Sequence, residues 1–359
     1  MTDQPEPSLK YNQQIVNPDL NSHVICLDVR NLTVSVKKGE KTCKILEKVS
    51  FKIDEGEILG LAGESGCGKS VTALSVSGLL PEEIRITEGA IIYKNRDLAS
   101  LGKNKMRSIH RSEISLIFQD SRQALNPLMK AGDQIIETIA LGENKEKKSD
   151  YREQRAQLKQ CAKNREIVLE LLSFLGFGNP QSVYNAYPHQ LSGGMCQRIM
   201  TAIAVIKRPG LLIGDELSSS LDEESTARCM SLLLEMNKNN RMSFLFISHD
   251  LSMIQKYCSR FIIMYAGRIV EEGPASSLFT PHHPYTKALV NAIPNKDKRG
   301  KTLEYIGGKI PSLENYIEGC PFAPRCPKAK DICKKTFPQP AQLNQHTQKE
   351  GKIYCYFPD

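Results

Sequence analysis

Apolar and polar positions alternate in short bursts over residues 24–57. The bursts are Val24-Ile25-Cys26-Leu27, Leu32-Thr33-Val34-Ser35-Val36, Lys44-Ile45-Leu46 and Val49-Ser50-Phe51-Lys52-Ile53, with the turn signal Lys37-Lys38-Gly39-Glu40 in their midst. This patterning predicts a small antiparallel β layer. The next run, Ile58-Leu59-Gly60-Leu61-Ala62, has no polar member, and the segment Val71 to Leu80 takes up helical spacing. Further strands are predicted at Gly89–Tyr93, Glu113–Phe118, Gly210–Gly214, Ser243–Ser248 and Phe261–Met264. The last three are buried-looking runs separated by helix-length segments, as in a parallel sheet covered on both faces. From Asn126 to Pro209 the apolar positions fall three and four apart (Ile135, Ile136, Ile139, then Ile167, Val168, Leu171, Leu172, Leu175), which predicts a helical insertion. The interval Glu143–Arg165 is nearly all charged and polar, an exposed helix or a mobile hairpin. No internal repeat is present.

Composition narrows the class. A chain of 359 residues, 40% hydrophobic and 25% charged, suits a globular protein of about two domains. No apolar stretch reaches the ~18 residues of a membrane-spanning helix. Residues Met1–Asn21 are polar and contain proline, unlike a signal peptide or an anchor. The expectation is a cytosolic chain that meets a membrane only through a partner. The formal charge of +8 is dispersed among acids and reads as solvated surface, not as a nucleic-acid footprint. Of the eleven cysteines, Cys26, Cys43, Cys67, Cys161, Cys196, Cys229 and Cys258 are scattered and read as small buried thiols. The other four crowd into the last forty residues.

The candidate chemistry starts at Gly63-Glu64-Ser65-Gly66-Cys67-Gly68-Lys69-Ser70-Val71, between the apolar strand and the helix. Strand, glycine-rich turn and helix is the context of a phosphate-binding loop. The glycines let successive N–H groups face an anion, and the helix N-terminus adds partial positive charge. Lys69 would reach the β- and γ-phosphates, and the Ser70 hydroxyl would ligate Mg²⁺. Downstream, Leu211–Gly214 ends in Asp215-Glu216, carboxylates at the end of a buried strand. Asp215 is placed to hold Mg²⁺ through water and Glu216 to polarise the attacking water. A third element, Leu191-Ser192-Gly193-Gly194-Met195-Cys196-Gln197-Arg198, opens a helix. Ser192 is its N-cap, and the adjoining glycines expose N–H groups to an anion.

These elements resemble, in order, the motif set of ABC transporter ATPases over roughly residues 24–290. Gly63–Ser70 matches Walker A, Gln119 the Q-loop, and Leu191–Gln197 the signature. Leu211–Glu216 matches Walker B, Ser220-Leu221-Asp222 the D-loop and His249 the switch histidine. The implied fold is α/β, a P-loop NTPase core with an antiparallel β subdomain and a helical subdomain at about 126–208. A polar segment 1–23 precedes it, and a small cysteine-bearing extension, 291–359, follows. More narrowly, the chain resembles the ATPase subunits of oligopeptide/dipeptide importers. That likeness rests on Leu125-Asn126-Pro127 with Gly132-Asp133-Gln134, on Pro281–Leu289, and on Gly319-Cys320-Pro321-Phe322-Ala323-Pro324-Arg325-Cys326. The resemblance implies ATP sandwiched between two head-to-tail ATPases. Ser192, Gly193, Gly194 and Gln197 would then serve the nucleotide of a second subunit, self or sister chain, with Asp222 at the D-loop. It makes Glu216, His249 and Gln119 catalytic, with Gln119 also beside Mg²⁺. It further implies two membrane permease subunits, an extracytoplasmic substrate-binding protein acting indirectly, and no nucleic acid. The rival readings are an importer ATPase for nickel or another small solute, and a soluble ABC ATPase acting on nucleic acid or ribosomes.

Two departures and two cysteine questions complete the expectations. Many ABC ATPases stack an aromatic ring on adenine ahead of Walker A. Here Leu32 to Leu46 contains none, and Val36 occupies the place, so weak base selectivity is expected. After Glu216 the chain has Leu217-Ser218 where Pro-Thr is usual. Cys67, at a helix N-terminus beside Lys69, is either a reactive thiol of lowered pKa or a small residue that fits. Cys320, Cys326, Cys333 and Cys355 have the spacing C-x₅-C-x₆-C-x₂₁-C, without the close pairs of structural zinc sites. Their residues leave iron–sulfur, zinc and free thiols open, and the importer resemblance implies a [4Fe–4S] cluster.

Overall fold

The computed structural model describes residues 24–142, 151–217, 219–294, 305–314, 317–343 and 351–359. The N-terminal segment 1–23, residues 143–150 of the charged interval, Ser218 and the side chain of Cys161 lie outside the described residues. The chain divides into two compact units, one of Lys103–Phe244 and one of Ile25–Gly102 with Leu245–Asp359.

In the second of these, the alternating bursts merge into two fourteen-residue strands, Ile25–Lys38 and Lys41–Asp54. They pair antiparallel from Ile25 opposite Asp54 to Lys38 opposite Lys41, turning at Gly39 with φ 61°. The pattern breaks that read as gaps between strands are bulges. The register slips between Val29 and Leu32, where Asn31 has φ 45°, and Lys48 on the partner strand has φ 49°. An extra residue shifts the period-two phase without ending the strand. Ile84–Tyr93 pairs antiparallel on the other side of the first strand, Leu27 opposite Tyr93 and Val36 opposite Ile84.

The fully buried strand Ile58–Ala62 runs parallel to Arg260–Tyr265, from Leu59 opposite Arg260 to Ala62 opposite Ile263. Just before His249, Ser248 donates its N–H to the Leu61 carbonyl at 3.2 Å. Beyond Arg260–Tyr265 the sheet turns antiparallel. Arg268–Pro274 pairs with it, Gly351–Ile353 pairs with Arg268–Pro274, and Ala341–Leu343 closes the row. The tail thus lengthens the same sheet. Arg268–Pro274 escapes a pattern reading because its centre is Glu271-Glu272, yet these are only 1% and 4% exposed. Glu271 accepts the N–H groups of His282 and His283 at 2.9 and 3.1 Å. Glu272 meets Lys352 at 2.7 Å and Arg260 at 3.5 Å. Charges with such partners are tolerated in a core.

The other unit holds the parallel pair Ile114–Ile117 and Leu211–Asp215, in register from Ile114 opposite Leu211 to Ile117 opposite Gly214. Ser243 donates its N–H to the Gly210 carbonyl at 2.9 Å. The expected helical region forms as Ala131–Gly142, Tyr151–Phe174, Pro180–Asn185 and Gly193–Val205. Of its predicted apolar stripe, Ile135, Val168, Leu171, Leu172 and Leu175 are buried, and Ile136, Ile139 and Ile167 are half-buried. At Gly132 a Cβ would stand 2.2 Å from the Tyr184 ring, so only glycine allows that approach.

Candidate functional site

The phosphate loop follows from its glycines. Gly63, Gly66 and Gly68 have φ of 151°, 82° and 109°, a region L-residues avoid. A Cβ on Gly63 would lie 2.2 Å from the Met264 carbonyl oxygen, and one on Gly68 2.6 Å from Leu46. Around Gly66 there is open space, and Ser65, Gly66 and Ser70 are exposed. Gly68 caps the helix Lys69–Ser77, which includes Val71. Lys69 is 7% exposed and its ammonium folds back, donating to the carbonyls of Gly63 at 2.8 Å and Glu64 at 3.1 Å.

Cys67 is wholly buried, and here the reactive-thiol alternative is corrected. Burial raises its pKa, and the opposing charge of Lys69 is the smaller influence. The thiol is the small residue that fits beneath the loop.

In the other unit, Gln119 and Glu216 are brought together, with the Gln119 amide donating to a Glu216 carboxylate oxygen at 2.9 Å. Glu216 has φ 56°, a left-handed backbone that costs a non-glycine residue roughly 1–2 kcal/mol. Two bonds from Ser219, its N–H at 3.2 Å and its hydroxyl at 3.0 Å, hold the Glu216 carbonyl there. Asp215 ends its strand at 7% exposure.

Ser192 caps the helix Gly193–Val205, its hydroxyl accepting the Met195 N–H at 3.2 Å. Nothing lies within 4 Å of a Cβ placed on Gly193, so the helix start is open. A Cβ on Gly194 would come 3.0 Å from the Ser220 carbonyl oxygen and 3.4 Å from Leu221, which seats the D-loop against the signature. Gln197 departs from expectation. It is 0% exposed and its amide oxygen accepts the Ser121 hydroxyl. It therefore braces the interior and does not present itself to a neighbouring subunit's nucleotide. Asp222 spends both carboxylate oxygens on Ser225, at 2.8 and 3.0 Å, as the cap of Glu223–Asn240. His249 is exposed, and the helix after it is capped by Asp250.

Beside Gly66 lies a cavity of about 60 Å³, lined by Lys44–Glu47, Ala266–Arg268, Ile310–Leu313, Ile317 and Pro321. No aromatic ring is among these residues.

The four tail cysteines converge. Cys320, Cys326, Cys333 and Cys355 line one cavity of about 20 Å³ together with Phe322, Phe357 and Pro338. Among the described residues no group of three or more His, Cys, Asp or Glu side chains stands ready to hold a metal ion. The spacing gave no hint of a further link. Arg325, inside this cysteine segment, reaches the phosphate loop at Glu64.

The comparisons agree with this geometry. Residues 46–219 match the ABC transporter family, and residues 270–333 the oligopeptide/dipeptide transporter C-terminal region. The dimeric ATP-binding cassette MJ0796, in a post-hydrolysis state with ADP and Pi, superimposes with a TM-score of 0.60 at 24% identity. That likeness covers 69% of this chain and 98% of that one. Fold and family match together define an ABC ATPase, a P-loop α/β enzyme class. The dipeptide transport ATP-binding protein DppD of Haemophilus influenzae is 37% identical, covering 92% of this chain and 95% of the relative. The DppD protein of Bacillus subtilis is 38% identical, over 93% and 95%. The oligopeptide transport ATP-binding protein OppD of Escherichia coli is 36% identical, over 87% and 88%. This chain belongs to the family of dipeptide and oligopeptide transport ATP-binding proteins. Among the described residues no helix is long and apolar enough to cross a membrane.

Proposed function

We propose that this chain is the ATP-hydrolysing subunit of an importer of di- and oligopeptides, held at the cytoplasmic face of the membrane by two permease subunits. The observation that carries this reading is the likeness to dipeptide transport ATP-binding proteins over 92% of the chain, together with the match of residues 270–333 to the oligopeptide/dipeptide transporter C-terminal region. The phosphate loop cradles the triphosphate with its N–H groups and Lys69. Ser70, Gln119 and Asp215 would be the groups to hold Mg²⁺, which would offset phosphate charge. Glu216 takes the proton of the attacking water, and Gln119, at 2.9 Å, orients that carboxylate. His249 contacts the γ-phosphate. Ser192, Gly193 and Gly194 offer an open helix start to the nucleotide of a second ATPase, a sister chain or a second copy, and Asp222 holds the D-loop turn. A substrate-binding protein outside the membrane delivers the cargo. Co-purification with the permease subunits, followed by Mg·ATP-driven uptake of labelled di- and oligopeptides, tests the reading. Uptake of nickel or another small solute in place of peptide would overturn the cargo.

The four-thiol cavity is the proposed seat of a [4Fe–4S] cluster. Its donor set is thiols in an apolar wall. Burial, with the neighbouring thiols adding to it, pushes Cys320 up to about 11 and raises Cys326 and Cys355. A cation there would favour their thiolate forms. Absorbance near about 400 nm with matching iron content in anaerobically prepared protein tests it. Zinc content, or neither metal, would overturn it.

A further inference from the structure

The phosphate loop has a brace outside its own motif. Glu64, its second residue, is gripped by Arg325 through both prongs of the guanidinium, Nη1 to Oε2 at 2.7 Å and Nη2 to Oε1 at 3.0 Å. The other three N–H groups of Arg325 are also placed. Nη1 donates to the Tyr265 hydroxyl at 3.1 Å, Nη2 to the Ile306 carbonyl at 2.9 Å and Nε to the Gly307 carbonyl at 2.7 Å. A guanidinium has five N–H donors in a rigid fork, so all five are satisfied. The Arg325 side chain is 5% exposed. Unlike a surface pair, whose partners drift, this one has a single geometry.

Glu64 is fixed at two further points. Its N–H donates to the Tyr285 hydroxyl at 2.8 Å, and its carbonyl accepts the Lys69 ammonium. The rings of Tyr265, Tyr285 and Phe322 cluster edge-on or tilted at 4.6–5.3 Å, and the Arg325 guanidinium lies 5.7 and 5.9 Å from the Tyr265 and Phe322 ring centroids. Phe322 and Arg325 both belong to the loop between Cys320 and Cys326. The grip on the phosphate loop therefore comes from the cysteine-bearing tail, 261 residues away in sequence.

A loop of glycines is costly to order when it binds a ligand, because glycine has the most freedom to lose. A clamp that orders it beforehand lowers that cost and raises affinity. We propose that Arg325 is a positioning residue for nucleotide binding, clamping Glu64 so that the tail presets the phosphate loop for the triphosphate. The proposal rests on the ATPase reading above and adds to it a role for the tail.

The test measures Mg·ATP affinity by titration calorimetry, steady-state turnover and melting temperature on the full chain carrying Arg325→Ala, Glu64→Gln, both together, or Arg325→Lys. The expected result for Arg325→Ala is affinity weakened about tenfold and KM raised to match, with turnover at saturation within about twofold. Glu64→Gln, which keeps the side chain's shape, weakens affinity as well, and the double variant is no weaker than Arg325→Ala. Arg325→Lys does not rescue, because an ammonium cannot make the forked pair and the two carbonyl bonds at once. Unchanged affinity in Arg325→Ala and Glu64→Gln, or losses that add in the double variant, overturns the brace. If Arg325→Ala does not fold, Glu64→Gln alone decides. A native chain with no affinity for Mg·ATP overturns the ATPase reading and the brace with it, whereas native binding untouched by these changes overturns the brace alone.

Discussion

The side-chain amide of Gln119 donates to the carboxylate of Glu216 at 2.9 Å, and Glu216 holds a left-handed backbone at φ 56° to receive it. Strain kept at one residue by neighbouring bonds is a common mark of a reacting group. Replacing Glu216 by Gln keeps the shape and removes the base. Turnover of the assembled complex should fall at least about a hundredfold, the scale of general-base catalysis, while Mg·ATP binding persists. Gln119→Ala should cost less, about tenfold, because Glu216 keeps its base and loses its orienting partner, and one of the groups for Mg²⁺ goes with it. Native-rate hydrolysis by the Glu216→Gln complex would remove Glu216 from the mechanism.

Cys67 should be slow to alkylate. The burial that raises its thiol also blocks the reagent, so the helix N-terminus and Lys69 do not make it a nucleophile. At about pH 8, iodoacetamide labelling of the Cys67 peptide, followed by mass spectrometry, should run at least about tenfold slower than labelling of a free thiol. Labelling at the free-thiol rate, or faster and blocked by ATP, would restore the reactive reading.

The contrast between these two residues shows what the sequence carries. Glycine positions with a strand before and a helix after dictate the phosphate loop, and local rules suffice for it. So do the capping serine at 192 and the strand-ending acids at 215 and 216. Burial is not local. Motif position made Gln197 a ligand of a neighbour's nucleotide and left Cys67 either an activated thiol or a small residue that fits, but both have 0% exposure, and the packing around them decides their chemistry. The strand Arg268–Pro274 was hidden for the same reason, since its two glutamates find partners at Arg260, His282, His283 and Lys352. The Arg325–Glu64 pair spans 261 residues, and no periodicity reports on such a distance.

Lys207 gives a pH dependence of folding. Its ammonium donates to the His110 carbonyl, yet burial pushes its pKa down to about 8, against about 10.4 in an unfolded chain. Below both values each state holds the proton, and the fold bears the cost of a partly buried charge. Between them the unfolded chain keeps a proton that the folded one has released, so stability gained from this site rises with pH. Relative to Lys207→Met, the native chain should gain on the order of 1–2 kcal/mol between about pH 7 and pH 10, a figure reduced for the solvent that still reaches the group. Urea unfolding of both proteins at the two pH values checks it. An equal difference at both would mean the lysine titrates as it does in water.

Base selectivity should be weak. Val36 stands opposite Ile84 and Cys43 in the sheet, at the position where the resemblance to ABC ATPases puts the ring that stacks on the purine. The cavity beside Gly66 is walled by aliphatic residues together with Lys44, Glu47, Arg268 and Ser312, with no aromatic among its lining. A stacked base is worth about 1–3 kcal/mol, and aliphatic contact distinguishes adenine from guanine poorly, because both present similar apolar faces. With the isolated chain, so that no partner can lend a ring, Mg·ATP and Mg·GTP should bind within about tenfold of each other. Val36→Tyr should tighten ATP binding about five- to tenfold by restoring the stack. A hundredfold preference for ATP in the native chain would mean that polar groups read the purine edge, and Val36→Tyr would then have little left to add.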